Sequence, residues 1–249
     1  VNMFPLQDGE KINVVLPLTG EFRSFPANHF VFMATAQGEV KKTALDEFSN
    51  PRKGGIIAMN LDEGDFLIGA ALTDGEHDVM LFSDGGKAVR FHEKDVTDRK
   101  RQAGGVRGMQ LEDGQSVIAM LVAEDETQSV LTATENGYGK RTPIGEYTRH
   151  GRGTKGMIAI QQSERNGKVV AATLVRADDE IMLITDTGVL VRTRVSEIRE
   201  LGRATQGVTL IALDAGAKLS GLQRIVENDA NDSAADDAPP EDGGGEAQP

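Results

Sequence analysis

Four stretches of the chain align with one another and decide its fold: VFMATAQGEVKKT (31–43), VMLFSDGGKAVRF (79–91), VLTATENGYGKRT (130–142) and IMLITDTGVLVRT (181–193). Their starts lie 48, 51 and 51 residues apart. Each stretch has a glycine at the same place, a base four residues later and an acid nine residues later. These marks are Gly38, Gly86, Gly137 and Gly188; Lys42, Arg90, Arg141 and Arg192; and Glu47, Asp95, Glu146 and Glu197. Fixed offsets in four copies indicate an internal repeat.

Each repeat reads as four short strands. An apolar run such as Val79–Phe82 precedes a tight turn, and the Asn136-Gly137 pair predicts a type I′ hairpin there. The second strand carries the base, and a polar loop of about ten residues follows it. Two more apolar strands close the repeat. They are predicted at 56–61 and 66–72, at 157–160 and 169–175, and at 208–213 and 219–225.

Four strands per repeat predict an all-β, propeller-like ring of blades. A lone four-stranded blade cannot bury both of its faces, so neighbouring blades must stack. We place full repeats at 29–76, 77–126, 127–178 and 179–226. Residues 1–28 parallel only the second half of a repeat, so we expect the chain to open in mid-unit. Residues 227–249 lack apolar periodicity and are predicted to be a disordered acidic tail.

The net charge of −12 at first argues against a nucleic-acid partner, but its distribution matters more than its sum. Residues 229–249 contain seven acids and no base. Without them the chain has 27 bases against 32 acids, a net charge of −5. A basic face is therefore possible if the bases are segregated.

Bases accumulate in the loop after each second strand: Arg52 and Lys53; Arg99, Lys100, Arg101 and Arg107; Arg149, Arg152 and Lys155; Arg199 and Arg203. Glycines among them would let backbone N–H groups approach a ligand, and this combination suits phosphate. Recurrence once per blade would align the bases along one edge of the ring, which suits bent duplex DNA. The alternative is that the bases are solvated surface residues and the glycines form tight turns.

We predict that bases of the second strands and of these loops contact DNA. The predicted residues are Lys41, Lys42, Arg52, Lys53, Arg90, Arg99, Lys100, Arg101, Arg107, Lys140, Arg141, Arg149, Arg152, Lys155, Arg192 and Arg203.

Enzymatic motifs are absent from the sequence. Neither Gly139-Lys140 nor Gly86-Lys87 is followed by the Ser or Thr of a phosphate-binding P-loop, and no Gly-x-Ser-x-Gly elbow occurs. The four histidines lack metal-site spacing, and cysteine is absent. Tyr147 matches Phe48, Val96 and Ile198 of the other repeats, which indicates a packing position. We therefore expect no catalytic residue, metal site or cofactor in this chain. We also expect no signal peptide or membrane span.

Several stretches resemble the C-terminal domain of the bacterial DNA gyrase A protein. They are VFMATAQGEVKKTALDEF (31–48), LTATENGYGKRTPIGEY (131–147), RGTKGMIAI (152–160) and IMLITDTGVLVRTRVSEI (181–198), and the resemblance extends from residue 1 to about 226. It implies a β-pinwheel, a six-bladed ring whose strands are exchanged between blades and whose basic perimeter wraps DNA. One departure is Gln102–Gly108, which lacks the double arginine of the family's Gln-Arg-Arg-Gly-Gly-Lys-Gly box.

The resemblance also implies the wider setting. The parent enzyme is an ATP-dependent type II topoisomerase that introduces negative supercoils, with ATP, Mg²⁺ and the DNA-cleaving tyrosine held outside this chain. Its partners would be double-stranded DNA, the N-terminal region of the same gyrase A protein, and the gyrase B protein in an A2B2 heterotetramer, in the bacterial cytoplasm at the nucleoid. With four and a half repeats, the chain looks truncated on its N-terminal side, and its acidic tail resembles one thought to modulate wrapping.

Two other functions stay open at this point. One is the related topoisomerase IV type of domain, which binds DNA without strong wrapping. The other is a propeller that binds proteins or peptides through its edge, although the WD40 form is excluded by the lack of tryptophan.

Overall fold

The structure, a computed structural model, describes residue 6 and residues 8–225. Regular structure in this part consists of strands and short 3₁₀ helices, as the all-β prediction requires. The strands are β1 Phe30–Thr35, β2 Glu39–Ala44, β3 Leu67–Thr73, β4 Asp78–Ser83, β5 Lys87–His92, β6 Val106–Arg107, β7 Val117–Ala123, β8 Ser129–Thr134, β9 Tyr138–Pro143, β10 Met157–Ile158, β11 Val169–Val175, β12 Glu180–Thr185, β13 Leu190–Arg194, β14 Val208–Thr209 and β15 Leu219–Ile225. The 3₁₀ helices are Gly20–Ser24, Leu45–Phe48, Glu93–Asp95, Ile144–Glu146 and Val195–Glu197.

The strands form four antiparallel sheets, which we number blades 1 to 4. Their orders are β3-β1-β2-β6, β7-β4-β5-β10, β11-β8-β9-β14 and β15-β12-β13. In every blade the first two strands of a repeat form a hairpin, and the last strand of that repeat pairs with the first. The propeller-like repeat is confirmed.

The fourth position of each complete sheet is filled by the following repeat. Val106 of repeat 2 pairs with Val40 in blade 1, and Met157 of repeat 3 pairs with Ala88 in blade 2. Val208 of repeat 4 pairs with Gly139 in blade 3. Repeats 2 to 4 each contain the four predicted strands, but the third strand completes the sheet of the preceding blade, as the strand exchange implied by the resemblance requires.

The third strands are also shorter than predicted. Only two residues pair in β6, β10 and β14, and residues 56–61 form no strand. An exchanged strand needs the second strand of a preceding blade, and the described residues before β1 supply none. Ile57 is consequently 57% exposed.

The predicted half-repeat at 1–28 forms no strand in its described part. A closing strand pairs with the first strand of its own repeat, as β3 does with β1, and the described residues before β1 include no such first strand. Leu16, Leu18 and Phe22 instead pack against the apolar face of blade 1. The predicted disordered tail, 227–249, lies outside the described residues.

The hydrophobic core lies between blades. One cluster joins Phe32 and Val40 of blade 1 to Leu81 and Phe91 of blade 2. Equivalent clusters join blade 2 to blade 3 and blade 3 to blade 4. Tyr147 is 1% exposed and lies edge-on to the Phe82 ring at 5.9 Å between centroids, which confirms the predicted packing position.

The hairpin turns differ from the predicted type I′. Gly137 N–H donates to Thr134 O at 2.9 Å, and Gly137 has a φ of +80° while Asn136 has no positive φ. Such a turn ends in a single left-handed residue, which glycine provides without strain. A Cβ at Gly137 would also lie 2.6 Å from Ile211 O of the next repeat. The repeated glycine therefore serves both the turn and the contact between blades.

Candidate nucleic-acid interface

Three loops carry the chain from one blade to the outer edge of the preceding blade. They are residues 97–108, 148–156 and 199–207, which we call the junction loops. Each follows the second strand of its own repeat and leads into the exchanged strand, the outermost strand of the neighbouring sheet. The topology thus places these base-containing loops on the perimeter of the molecule.

Two of the predicted DNA contacts are buried lysines. Lys41 and Lys140 each have 0% exposure. Lys41 Nζ donates to Ala58 O and Ala103 O, both at 2.9 Å, and to Arg101 O. Burial, together with the charges of Arg101 and Arg99, lowers the pKa of Lys41 to about 8. A side chain enclosed in this way cannot reach a phosphate in the folded protein, so the prediction for Lys41 is corrected.

Lys140 repeats the arrangement two blades further on. Its Nζ donates to Gly202 O and Arg203 O in the junction loop of repeat 4. Burial, and then the nearby charge of Arg203, lowers the pKa of Lys140 to about 8. Lys140 is therefore a second structural base and is also corrected.

In blades 1 to 3, the base four residues after the repeat glycine donates a hydrogen bond to the next blade. Lys42 Nζ donates to Glu93 O at 3.1 Å, Arg90 Nη1 donates to Ile144 O at 3.1 Å, and Arg141 Nε donates to Ile198 O at 2.8 Å. All three carbonyls lie at the 3₁₀ helix after the second strand of the following repeat. The prediction of DNA contact is corrected for Lys42 and Arg90, which are buried at this contact between blades. Arg141 is half-buried with its Nε engaged there, and its contact with DNA stays a prediction.

Arg192 occupies the equivalent position in blade 4 and behaves differently. No further repeat follows it in the described residues, and its guanidinium pairs with Glu180 of its own blade. The side chain is 53% exposed. This difference shows that the neighbouring blade is what buries the other members of the set.

One arginine in each junction loop is likewise engaged. Arg101 Nη1 donates to Ile57 O at 2.9 Å, Arg152 Nη1 to Arg107 O at 3.0 Å, and Arg203 Nη1 to Ile158 O at 2.9 Å. Each acceptor belongs to the preceding repeat. Arg107 lies in β6 and Ile158 lies in β10, so Arg152 and Arg203 join their loops to the exchanged strand of the preceding repeat, and this bond occupies part of their donor capacity.

The remaining bases are exposed. They are Arg52, Lys53, Arg99, Lys100, Arg107, Arg149, Lys155 and Arg199. Within the described residues, the side chains of Arg52, Lys53, Arg107 and Arg199 make no hydrogen bond or ion pair. Lys100 Nζ lies 3.2 Å from Glu47, and Arg149 Nε lies 2.9 Å from the buried Asp78. Arg199 was absent from the predicted set, because the adjacent Glu200 obscured it.

The glycine at the end of the second and third junction loops lies very close to the neighbouring blade. Gly156 has a φ of +75°, and a Cβ there would lie 2.3 Å from Ala88 O. Gly207 makes the same approach to Gly139 O at 2.6 Å. Exchange of the strand requires this close contact of backbones, so Gly156 and Gly207 serve the junction. Gly104 and Gly151 have nothing within 4 Å of an added Cβ, and approach of a ligand to them stays a prediction.

A group of possible metal ligands lies away from the junction loops. Ligand atoms of Asp74, His77 and Glu93 lie within 4.8 Å of one another, a proximity that their sequence spacing did not suggest. The Glu93 carboxylate already accepts from Thr73 Oγ1 at 2.7 Å and from the Gly75 and His77 N–H groups at 3.0 and 2.9 Å. Capping of the turn at 73–77 accounts for this cluster.

The perimeter has the chemistry of a phosphate-binding surface. Exposed bases recur blade after blade, and the longest helix in the described residues is a five-residue 3₁₀ helix, too short to read bases in the major groove. Stacked blades, exchanged strands and a basic perimeter define a β-pinwheel, a class of propeller-like repeat domain.

Comparison with known proteins identifies the family. The family model described as "DNA gyrase C-terminal domain, beta-propeller" matches residues 29–74, 77–124, 128–176 and 179–225. This chain belongs to the DNA gyrase C-terminal domain family.

Two relatives illustrate the similarity. The DNA gyrase A protein of Pseudomonas aeruginosa is 52% identical over 214 residues, which cover 86% of this chain and 23% of that protein. The gyrase A protein of Escherichia coli K12 is 50% identical over 227 residues, covering 91% and 25%. The chain thus spans about a quarter of the length of the curated relatives it matches.

Solved structures show the same fold. A gyrase A C-terminal domain superposes with a TM-score of 0.73 at 27% identity, covering 81% of this chain and 67% of that one. The C-terminal domain of DNA topoisomerase IV gives 0.83 at 23% identity, covering 90% and 69%, a likeness of fold alone. In the described part of the chain, no helix has the length and apolar character to cross a membrane.

Proposed function

We propose that this chain is the DNA-binding and DNA-wrapping region of a gyrase A protein. One observation carries the proposal: successive junction loops on the perimeter present exposed bases that the protein's own acids leave largely unpaired. Arg107 and Arg199 are two such bases. Their recurrence suits a long, evenly charged polyanion, and the family membership supports duplex DNA as that polyanion.

The parent protein in this proposal is part of an ATP-dependent type II topoisomerase that introduces negative supercoils. The names of the relatives support this assignment. ATP and Mg²⁺ would bind elsewhere in the enzyme, and the DNA-cleaving tyrosine would lie in the N-terminal region of the gyrase A protein. That region and the gyrase B protein would be the protein partners, in an A2B2 assembly in the cytoplasm at the nucleoid.

The proposed interface consists of exposed bases of the loops: Arg52, Lys53, Arg99, Lys100, Arg107, Arg149, Lys155 and Arg199. The exposed Arg152 and Arg192 are each bonded within the protein, and their contact with DNA stays a prediction. Binding through phosphates predicts affinity that is independent of sequence and steeply dependent on salt. If four to eight phosphates are neutralised, log K against log salt should slope by roughly −4 to −7.

The test measures anisotropy of a labelled duplex of random sequence across a salt series, with the chain and with a triple variant. Arg99→Ala, Lys100→Ala and Arg107→Ala together should make the slope shallower by up to about 2.7. Lys168→Ala is the matched control, because Lys168 is exposed and paired with Asp84 but lies outside the junction loops. A slope near zero for the unmodified chain would rule out DNA binding through phosphates.

Two alternatives give different outcomes in the same system. A peptide-binding propeller would show little salt dependence, since apolar contacts are not screened. A topoisomerase IV type of domain would bind DNA but constrain little writhe when a plasmid is relaxed by a nicking-closing enzyme. The two relatives named above are gyrase A proteins, which favours wrapping.

A further inference from the structure

The buried lysines follow an alternating pattern along the repeats. Three residues after the repeat glycine, blades 1 and 3 have Lys41 and Lys140, whereas blades 2 and 4 have Val89 and Val191. Val89 is 2% exposed and belongs to the core cluster of blades 1 and 2. A lysine at a position that is otherwise apolar needs its charge and donors satisfied internally.

Both lysines donate hydrogen bonds to the junction loop of the next repeat. Lys41 Nζ reaches Arg101 O and Ala103 O in the first junction loop, as well as Ala58 O. Lys140 Nζ reaches Gly202 O and Arg203 O in the third. The bonded carbonyls lie within one to four residues of exposed bases at Arg99, Lys100 and Arg199.

The middle junction loop lacks such a lysine. Val89 faces Gly156 there, and the loop is held by His150 N–H to Arg90 O at 2.8 Å and by Gly153 N–H to Gly108 O. Gly151, at its centre, has no atom within 4 Å of an added Cβ. Two kinds of junction therefore alternate, one with an internal ammonium and one with an apolar contact.

We propose that Lys41 and Lys140 are positioning residues that fix the first and third junction loops, so that their exposed bases meet phosphates at a set spacing and bend the DNA. This inference rests on the proposed function. It assigns Lys41 and Lys140 no contact with DNA. Their effect is on the shape of the bound duplex rather than on the number of phosphates neutralised.

The experiment compares Lys41→Met, Lys140→Met and Lys100→Met in the complete chain, each confirmed to be folded by circular dichroism at the assay temperature. Three readouts are taken: amide exchange along the junction loops, the salt slope of binding to a straight duplex, and the bend angle of a longer duplex by energy transfer between its ends.

Lys41→Met should accelerate exchange in residues 97–108 on the order of tenfold or more, because three bonds to a charged donor are lost, and it should leave 148–156 unchanged. Lys140→Met should do the same for 199–207. Both should reduce the bend angle with the salt slope retained. Lys100→Met should instead make the salt slope shallower by about 0.9 and leave amide exchange in the junction loops unchanged.

Other results would overturn the inference. If Lys41→Met makes the salt slope shallower and leaves amide exchange in the first junction loop unaltered, this lysine contacts phosphate. Faster exchange with an unchanged bend angle would leave both lysines a merely structural role. If Lys41→Met does not fold, Lys41→Gln retains two donors and Lys140→Met tests the other junction independently.

Failure of the proposed function looks different. In that case the unmodified chain shows no salt-dependent binding to DNA at all, and the lysines then have no role in DNA bending. If the unmodified chain binds and bends DNA, and the lysine variants bind and bend it equally well, only the inference about the lysines is contradicted.

Discussion

At the scale of single residues, a base in each of blades 1 to 3 bonds to the following blade. Arg90 is the most heavily bonded member: it pairs with Asp78 at 2.8 Å and with Glu126, and it donates to Ile144 O and Tyr147 O. Burial opposes its charge, but the bonds to Glu126 and Asp78 raise the pKa of Arg90. A charge so enclosed stabilises the fold only while all of its partners are present.

Arg90→Met should therefore lower the free energy of unfolding by about 3–5 kcal/mol, because the buried Asp78 loses one of its two bases and two carbonyls lose their donor. Urea denaturation without DNA measures this effect. Arg192→Met is the matched control and should cost less than about 1 kcal/mol, since its pair with Glu180 is exposed to solvent. Loss of DNA affinity at unchanged stability in Arg90→Met would instead support direct contact between this base and DNA.

The buried lysines predict a dependence of stability on pH. The pKa of Lys41 and of Lys140 is about 8 in the folded chain, below the ordinary value near 10.5 that each recovers on unfolding. Between these values the unfolded chain binds more protons, so the free energy of unfolding rises with pH relative to a variant without the lysines. Below about pH 8 this difference is constant.

Thermal unfolding of the unmodified chain and of the double variant Lys41→Met, Lys140→Met at pH 7, 9 and 10 checks this sign. The groups facing Lys41 are Arg101, Arg99 and Glu47, and those facing Lys140 are Arg203 and Glu146. Parallel curves for the two proteins would show that the lysines titrate normally.

At the scale of elements, the exchanged strand depends on the glycine that introduces it. A Cβ at Gly156 would lie 2.3 Å from Ala88 O, and the N–H groups of Ala159 and Ile160 donate to Gly86 O at 2.9 and 3.2 Å. The two-residue strand β10 is thus fixed at both ends by blade 2. A two-residue strand of this kind stabilises the junction through the contacts at its two ends, because it is too short for a long ladder of backbone hydrogen bonds.

Gly156→Ala should displace β10 and destabilise the chain by about 1–3 kcal/mol, because the residue has a positive φ and no space for a methyl group. Amide exchange at Ala159 and Ile160 and urea denaturation report the change. Gly151→Ala in the same loop should be within about 0.5 kcal/mol of the unmodified chain, since nothing lies near its added Cβ. Equal effects of the two substitutions would contradict the close-approach explanation.

At the scale of the whole molecule, the exposed bases are spread over several junction loops. Under the proposed function, a short duplex would meet the bases of one junction loop, whereas a longer duplex would reach those of several blades. Both affinity and the steepness of the salt slope should therefore increase with duplex length and then level off, since each added phosphate contact contributes about −0.9 to the slope. Titrations with duplexes of about 10 to 60 bp and random sequence measure this.

The control for this prediction is a set of equally long duplexes of unrelated sequence. These should bind alike, because phosphates carry no sequence information. An equal slope at all lengths would place binding in one loop and contradict a continuous interface.

Much of this architecture follows from the sequence alone. The recurrence of glycine and base in 31–43, 79–91, 130–142 and 181–193, with an acid shortly after each stretch, predicted the hairpins, the blades and the all-β class, because turns and alternating apolar residues are local features. The burial of Tyr147 also followed, from its alignment with Val96 and Ile198. The position of the basic loops along one edge of the ring was predicted from their recurrence once per blade.

The placement of the strand bases was decided by tertiary structure. Lys140 meets Gly202 O, a residue 62 positions away, and Arg90 meets Tyr147 O, 57 positions away. Whether a base is buried or exposed depends on carbonyl groups of a neighbouring blade, and the sequence pattern within one repeat does not indicate where those groups lie. One signal was present: Val89 and Val191, aligned with the two lysines, mark that position as facing the interior. Strand exchange likewise depends on which sheet edge lies nearest, a property of packed blades rather than of any single repeat.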